Sequence, residues 1–237
     1  MTAREFWDRI FTEHPTLPVS EEDQRVLAAA ANHFGSFAGK DILDIGCGAG
    51  GSSLFFAERG ARVTSIDTSG VAVANLEKFC RDNRIEAIRA VQLSALEIGS
   101  LGRFDLVFGS MVLHHIEPFA DFVAALRAAV RPGGKAFFYE NSAMSSFLIW
   151  FRQHVVGRWW VPKCGDEEEF PLTPGEVDVL RHAFAVRVAY PEMMFFRLAS
   201  WYLLKGRLIG AFSLLDRIAY RIPWLRAYSY RQYLYLS

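Results

Sequence analysis

The chain has few cysteines, no net charge and no apolar run of membrane-spanning length, and each shortage removes a class of protein. Its three cysteines, Cys47, Cys80 and Cys164, are an odd number at unrelated spacings. That is no disulfide framework, and no histidine stands at zinc spacing from them. The expectation is reduced thiols, a cytoplasmic setting and no metal centre. The 26 basic and 26 acidic side chains cancel to a formal charge of +0, so no global field attracts nucleic acid. In the aromatic C-terminal region, Arg197, Lys205 and Arg207 break every stretch before it reaches the ~20 residues of a membrane span. Met1 to Phe11, MTAREFWDRIF, has early acids and no apolar core run, unlike a secretory signal. Repeats and low-complexity tracts are absent too. What remains is 51% hydrophobic and 22% charged residues over 237 positions, a globular composition long enough to bury a full core.

Against this background, Asp41 to Ser53, DILDIGCGAGGSS, is the organising stretch. Ile42, Leu43 and Ile45 read as a short buried strand, and Ser52 to Ala57 begin a helix. Gly46, Cys47, Gly48, Ala49, Gly50 and Gly51 lie between them. Glycine serves where φ is positive or where a Cβ would meet a ligand. The helix start offers unpaired N–H groups and a partial positive charge. The turn therefore suits a nucleotide. Gly46, Gly48 and Gly51 fit the dinucleotide fingerprint G-x-G-x-x-G, which would imply an NAD(P)-dependent oxidoreductase. Asp44, Gly46, Gly48 and Gly50 fit D-x-G-x-G-x-G, the glycine motif of class I S-adenosylmethionine-dependent methyltransferases.

Three later stretches favour the second match. Val63 to Asp67, VTSID, is a strand ending in a carboxylate at about the ~20-residue offset at which an acid meets ribose hydroxyls. Phe104 to Ile116, FDLVFGSMVLHHI, resembles the fourth strand of that methyltransferase family and the segment after it. Leu126 to Tyr139, LRAAVRPGGKAFFY, resembles the helix, R-P-G-G turn and fifth strand that follow. The resemblance implies an α/β, Rossmann-like, mostly parallel seven-stranded sheet with an antiparallel last strand and a helical cap. It also implies S-adenosylmethionine as cofactor, with Asp44 near the methionine end and Asp67 on the ribose. Around them stand Gly46, Cys47, Gly48, Gly50, Thr68, Ser94, Ala95, Leu96, Gly109, Ser110 and Met111. Cys47 reads as a small packing residue, and Ser94 stands where many relatives carry an adenine-binding acid.

In chain order, residues 1–38 form an N-terminal helical flap, with Phe6, Trp7 and Ile10 on one side and Ser20 and Asp23 starting a second helix. Residues 39–141 are the cofactor-binding core, in which Val73, Leu76 and Phe79 point inward from one helix and Val91 to Ile98 take the third-strand place. Residues 142–170 and 192–227 are insertions that form a cap with the flap, because both leave the carboxyl ends of strands, where ligands of such sheets bind. Between them Thr173, Pro174, Gly175 and Glu176 make a capping box with proline at the first helical position. Residues 228–237 are the last strand.

For catalysis the candidates are His114, His115 and Glu140. Adjacent helical residues diverge by about 100°, so one histidine faces the cleft. His114 is the choice, because it aligns with the base of plant small-molecule O-methyltransferases; the alternative is a hydrogen-bonded structural histidine. Glu140 either acts as base, holds the cap through Arg152, or positions a substrate amine. From Met193 to Ser237 seven cations stand against the single acid Asp216, a net +6, among interleaved aromatics. That is the composition of an interfacial helix on anionic lipid, or of core aromatics with outward-snorkelling arginines. The expected activity is methyl transfer to a small apolar or lipid-like molecule, with peripheral membrane contact and no nucleic acid. A non-catalytic S-adenosylmethionine-binding partner protein is the remaining alternative.

Overall fold

The computed structural model describes residues 3–13, 20–156 and 170–237. The loop read at His14 to Pro18, the acidic stretch 166–169, Trp159, Trp160 and Cys164 lie outside the described residues, as does the Arg152 side chain. Seven strands form one sheet: β1 (Asp41–Ile45), β2 (Arg62–Asp67), β3 (Ile88–Gln92), β4 (Phe104–Ser110), β5 (Val130–Asn141), β6 (Val186–Ala189) and β7 (Arg231–Leu236). Their order is β3-β2-β1-β4-β5-β7-β6. The first five run parallel, and β7 lies antiparallel between β5 and β6.

Nine described helices accompany it: α1 (Ala3–Glu13), α2 (Glu21–Phe34), α3 (Gly51–Ala57), α4 (Gly70–Asn83), α5 (Phe119–Ala129), α6 (Ser146–His154), α7 (Pro174–Ala183), α8 (Phe196–Leu204) and α9 (Ile209–Tyr220). Ser20 with Asp23, and Thr173 with Glu176, each close a capping box at a helix start read from the sequence. Successive strand residues point to opposite faces, and both faces are covered. Leu43, Ile45, Val107 and Phe138 pack with Phe122, Leu126 and Leu180 of α5 and α7. Ile42, Val63, Phe108 and Phe137 pack with Leu27, Phe34, Phe56 and Leu76 of α2, α3 and α4. Double coverage is why β1 reads as a continuous apolar run.

The register aligns one rim of the sheet. Ile45 pairs with Ile66 and with Gly109, so the glycine turn, Asp67 and Ser110 emerge side by side. Two expectations need correction. The third strand ends at Gln92, which pairs with Asp67, the last residue of β2; with no β2 partner beyond it, Ala95–Leu101 coils into a 3₁₀ turn capped by Ser94. Phe79 is 38% exposed, because Cys80, four residues past Leu76, takes the inward place on α4.

The insertions meet each other through aromatic rings. Phe147 and Phe151 of α6 pack on Phe195 and Tyr202, with centroids 5.7 and 6.2 Å apart. Helix α1 docks on α4 by two hydrogen bonds: the Ser69 hydroxyl donates to Asp8 at 2.5 Å, and the Asn75 amide donates to the Phe11 carbonyl at 3.0 Å.

Candidate active site

The turn after β1 is held by β2. The Gly46 and Cys47 N–H groups donate to the Ile66 carbonyl at 2.8 and 3.0 Å, and the Gly48 N–H donates to the Asp67 carboxylate at 2.9 Å. Gly48 and Gly50 have φ of 49° and 83°, the left-handed region in which only glycine is unstrained. A Cβ on Gly48 would lie 3.1 Å from the Phe11 ring, and one on Gly50 only 2.4 Å from Leu76 Cδ1. Glycine there lets α1 close over the turn and α4 pack behind it.

A cavity of about 260 Å3 opens at this rim. Of the residues marked in the sequence, Gly46, Gly48, Asp67, Thr68, Ser94, Ala95, Leu96, Ser110 and Met111 line it. Asp44, Cys47, Gly50 and Gly109 are not among its lining residues. Cys47 is buried in the core, where burial pushes its thiol pKa well up, so it is no nucleophile. A Cβ on Gly109 would be 2.8 Å from the Phe138 ring, so that glycine serves packing. Phe11, Leu93, Val112, Ile116 and Glu117 also line the cavity and were not singled out in the sequence. For Phe11 the signal was present: it follows Trp7 at i+4, and the rings stack at 5.8 Å.

Two carboxylates set the local electrostatics. Asp67 is raised in pKa by burial, opposed by the Ser69 and Gly48 N–H groups. Those donors, each at 2.9 Å, occupy one lone pair on each oxygen and leave acceptor capacity toward the cavity, as sugar hydroxyls require. Asp44 takes the Ser52 and Ser53 hydroxyls on Oδ2 at 2.7 and 2.5 Å. Its Oδ1 is buried with no partner among the described residues, an acceptor suited to a cationic group. The apolar side chains of Leu93, Ala95 and Ile116 suit a planar base.

The segment after β4 turns on Glu140. Met111 has φ of 54°, a strained value for a side-chain-bearing residue, and its N–H donates to the Tyr139 carbonyl at 2.8 Å. Glu140 Oε1 accepts the Val112 and Leu113 N–H groups at 2.8 and 2.7 Å, and Oε2 lies 2.6 Å from His114 Nδ1. The His114 and Glu140 side chains are 1% and 0% exposed. His115 faces the cavity, with the Trp7 ring edge-on at 6.3 Å. The expectation that His114 faces the cleft is therefore corrected, and Glu140 fastens a loop instead of reaching the cavity. Leu113–His115 form a 3₁₀ turn, in which neighbours diverge by about 120°; with Leu113 in the core and His114 on Glu140, His115 points out. Among the described residues no cluster of three His, Cys, Asp or Glu side chains is placed to hold a metal.

A parallel sheet with a glycine turn after β1, an acid closing β2 and an antiparallel β7 inserted beside β5 defines the class I, Rossmann-like methyltransferase fold. Residues 42–134 match the family described as methyltransferase domain, and the chain is similar to class I S-adenosylmethionine-dependent methyltransferases. One similar protein is the ubiquinone biosynthesis O-methyltransferase of Idiomarina loihiensis, 33% identical over 154 residues, 62% of this chain and 61% of the relative. The chain spans about three fifths of the length of curated relatives it matches, 61% and 63% in two of them. Among solved structures, the N-methyltransferase NodS of Bradyrhizobium japonicum with S-adenosyl-L-homocysteine superposes with a TM-score of 0.63 at 15% identity, covering 100% of this chain and 98% of that one. The [4+2]-cyclase SpnF superposes at 0.58 and 17% identity, covering 90% and 80%. Both likenesses concern the fold.

Proposed function

We propose that the protein transfers a methyl group from S-adenosylmethionine to a small, apolar, lipid-like acceptor. The observation that carries this reading is one cavity with the Asp67 carboxylate on one wall and the His115 imidazole on another, under the aromatic side chains of α1. Asp67 would hold the ribose hydroxyls, the unpartnered Asp44 oxygen the methionine ammonium, and Leu93, Ala95 and Ile116 the adenine. The cofactor supplies a methyl group on a sulfonium, a leaving group that needs no metal.

The protein's own work is alignment, worth up to ~7–11 kcal/mol in favourable systems. Trp7 and Phe11 give the cavity an aromatic wall, and the Glu140–His114 pair holds the segment carrying Met111 and His115. A hydroxyl acceptor, the kind suggested by the name of the ubiquinone biosynthesis relative, loses a proton, and in this reading the base is His115, which lines the cavity. Trp7, Phe11 and Val112, which line the cavity, favour an apolar acceptor body. Such a molecule partitions into membranes, so peripheral contact with a bilayer belongs to this reading.

A shared fold does not impose a shared reaction, and the cyclase among the neighbours makes the point. Calorimetry should show binding of S-adenosylmethionine and none of NAD. Charge-assisted hydrogen bonds are worth ~1.5–3 kcal/mol, so Asp67→Ala should weaken binding roughly 10- to 150-fold. Heat from NAD with none from S-adenosylmethionine would overturn the reading.

A further inference from the structure

Helix α9 is built inside out. Ala211, Leu214, Leu215, Ile218 and Ile222 recur at helical spacing on its outer side, with Leu214 56% and Ile218 51% exposed. Its acid points inward: Asp216 is 3% exposed. Asp216 Oδ1 accepts the Phe195 and Phe196 N–H groups at 3.0 and 2.8 Å, and Oδ2 accepts the Arg197 N–H at 3.0 Å. The Tyr220 hydroxyl donates to the Tyr190 carbonyl at 2.7 Å. These buried bonds lock the rotation of the helix, so its leucines cannot turn to the core. Leu208 before the first turn and Trp224 after the last extend the apolar face, and Trp224 is 69% exposed.

The charges around this face are of one sign. Lys205, Arg207, Arg217 and Arg221 are exposed and form no ion pair among the described residues. The only acid between residues 193 and 237 is Asp216, and it is occupied in capping α8. A second copy of the chain docked face to face would set these cations against their equivalents. An anionic lipid surface would neutralise them. No helix among the described residues is long and apolar enough to cross a membrane.

We propose that α9 with its flanking turns is a monotopic anchor lying on an anionic bilayer. Leu214, Leu215, Ile218 and Trp224 enter the acyl boundary, and Arg217 and Arg221 meet lipid phosphates. This deepens the proposed function, since it sets the site beside the phase that holds an apolar acceptor. It is tested without any methyl transfer.

The full chain is floated with vesicles of phosphatidylcholine and phosphatidylglycerol at about 3:1 and with pure phosphatidylcholine. Binding to the anionic vesicles that falls with salt is expected. At ~1 kcal/mol per cation near the surface, Arg217→Gln with Arg221→Gln weakens it roughly 30-fold. Leu214→Ser with Ile218→Ser weakens it roughly 10- to 100-fold. Brominated lipid should quench tryptophan fluorescence in the unaltered chain, with much of the effect lost in Trp224→Phe. Equal, salt-insensitive binding to both vesicle types overturns the anchor. So does a chain that ignores vesicles at low salt and sediments as a dimer dissociated by Leu214→Ser with Ile218→Ser. A chain that binds S-adenosylmethionine but no vesicle defeats the anchor alone; one that floats but binds no S-adenosylmethionine defeats the enzyme reading alone.

Discussion

Replacing Asp44 by asparagine separates the cost of a buried carboxylate from its use. Burial pushes the Asp44 pKa from 3.8 to about 6; the Ser53 and Ser52 hydroxyls oppose the rise, and the nearby Asp67 charge adds to it. A carboxyl whose folded pKa is raised binds its proton more tightly in the folded chain than in the unfolded one. Stability from this group is therefore lost as pH climbs from 3.8 to about 6 and stays lost above that. At 1.36 kcal/mol per pKa unit the loss comes to about 3 kcal/mol. Asparagine keeps an oxygen for both serines and carries no charge. For a domain of this size about 3 kcal/mol corresponds to roughly 6–12 °C in Tm. Thermal unfolding of Asp44→Asn across this window should therefore lack one component of the decline seen in the unaltered protein. Asp67, whose pKa is also raised by burial, titrates in both proteins, so its contribution cancels in the difference apart from its coupling to the Asp44 charge. Ligand reverses the order: a cation against Oδ1 favours the ionised form, so S-adenosylmethionine should stabilise the unaltered protein more than the variant. Parallel stability curves for the two proteins, with and without ligand, would refute the assignment.

The two histidines should separate cleanly. His115→Ala should lower turnover by roughly 10²–10⁴ at nearly unchanged cofactor affinity if the acceptor carries a proton; equal losses in binding and turnover would make His115 structural. His114→Ala strips the buried Glu140 carboxylate of a partner, at a cost of about 3–5 kcal/mol read from the denaturant midpoint. An unchanged midpoint would show that the two backbone N–H groups on Glu140 suffice.

Local signals made much of the molecule legible. The continuous apolar run of β1 announced a strand covered on both faces, and Ser20 with Asp23 and Thr173 with Glu176 announced two helix starts. Asp67 could be placed at a strand end because a carboxylate closes the run VTSID at the ~20-residue offset of a ribose-binding acid. Where the reading failed, the deciding partner was distant in the chain. The third strand ends at Gln92 because β2, its neighbour, ends at Asp67. Phe11 reaches the cavity because α1 is tied to α4 through Asn75, 64 residues further on.

What the sequence determined by itself was the material of the site: glycines that admit left-handed backbone, an acid at the offset of a sugar, two adjacent histidines, and a cationic aromatic tail. Those follow from residue type and spacing, which act over a few bonds. Only the tertiary structure decided which way the side chains face. Glu140, 26 residues from His114, draws that ring inward and leaves His115 on the cavity. Asp216 reaches back about twenty residues to the start of α8 and so turns the leucines of α9 outward. Rotation about a helix or turn axis costs little within the segment itself, so it is set by the buried polar group that must find its partner elsewhere in the fold.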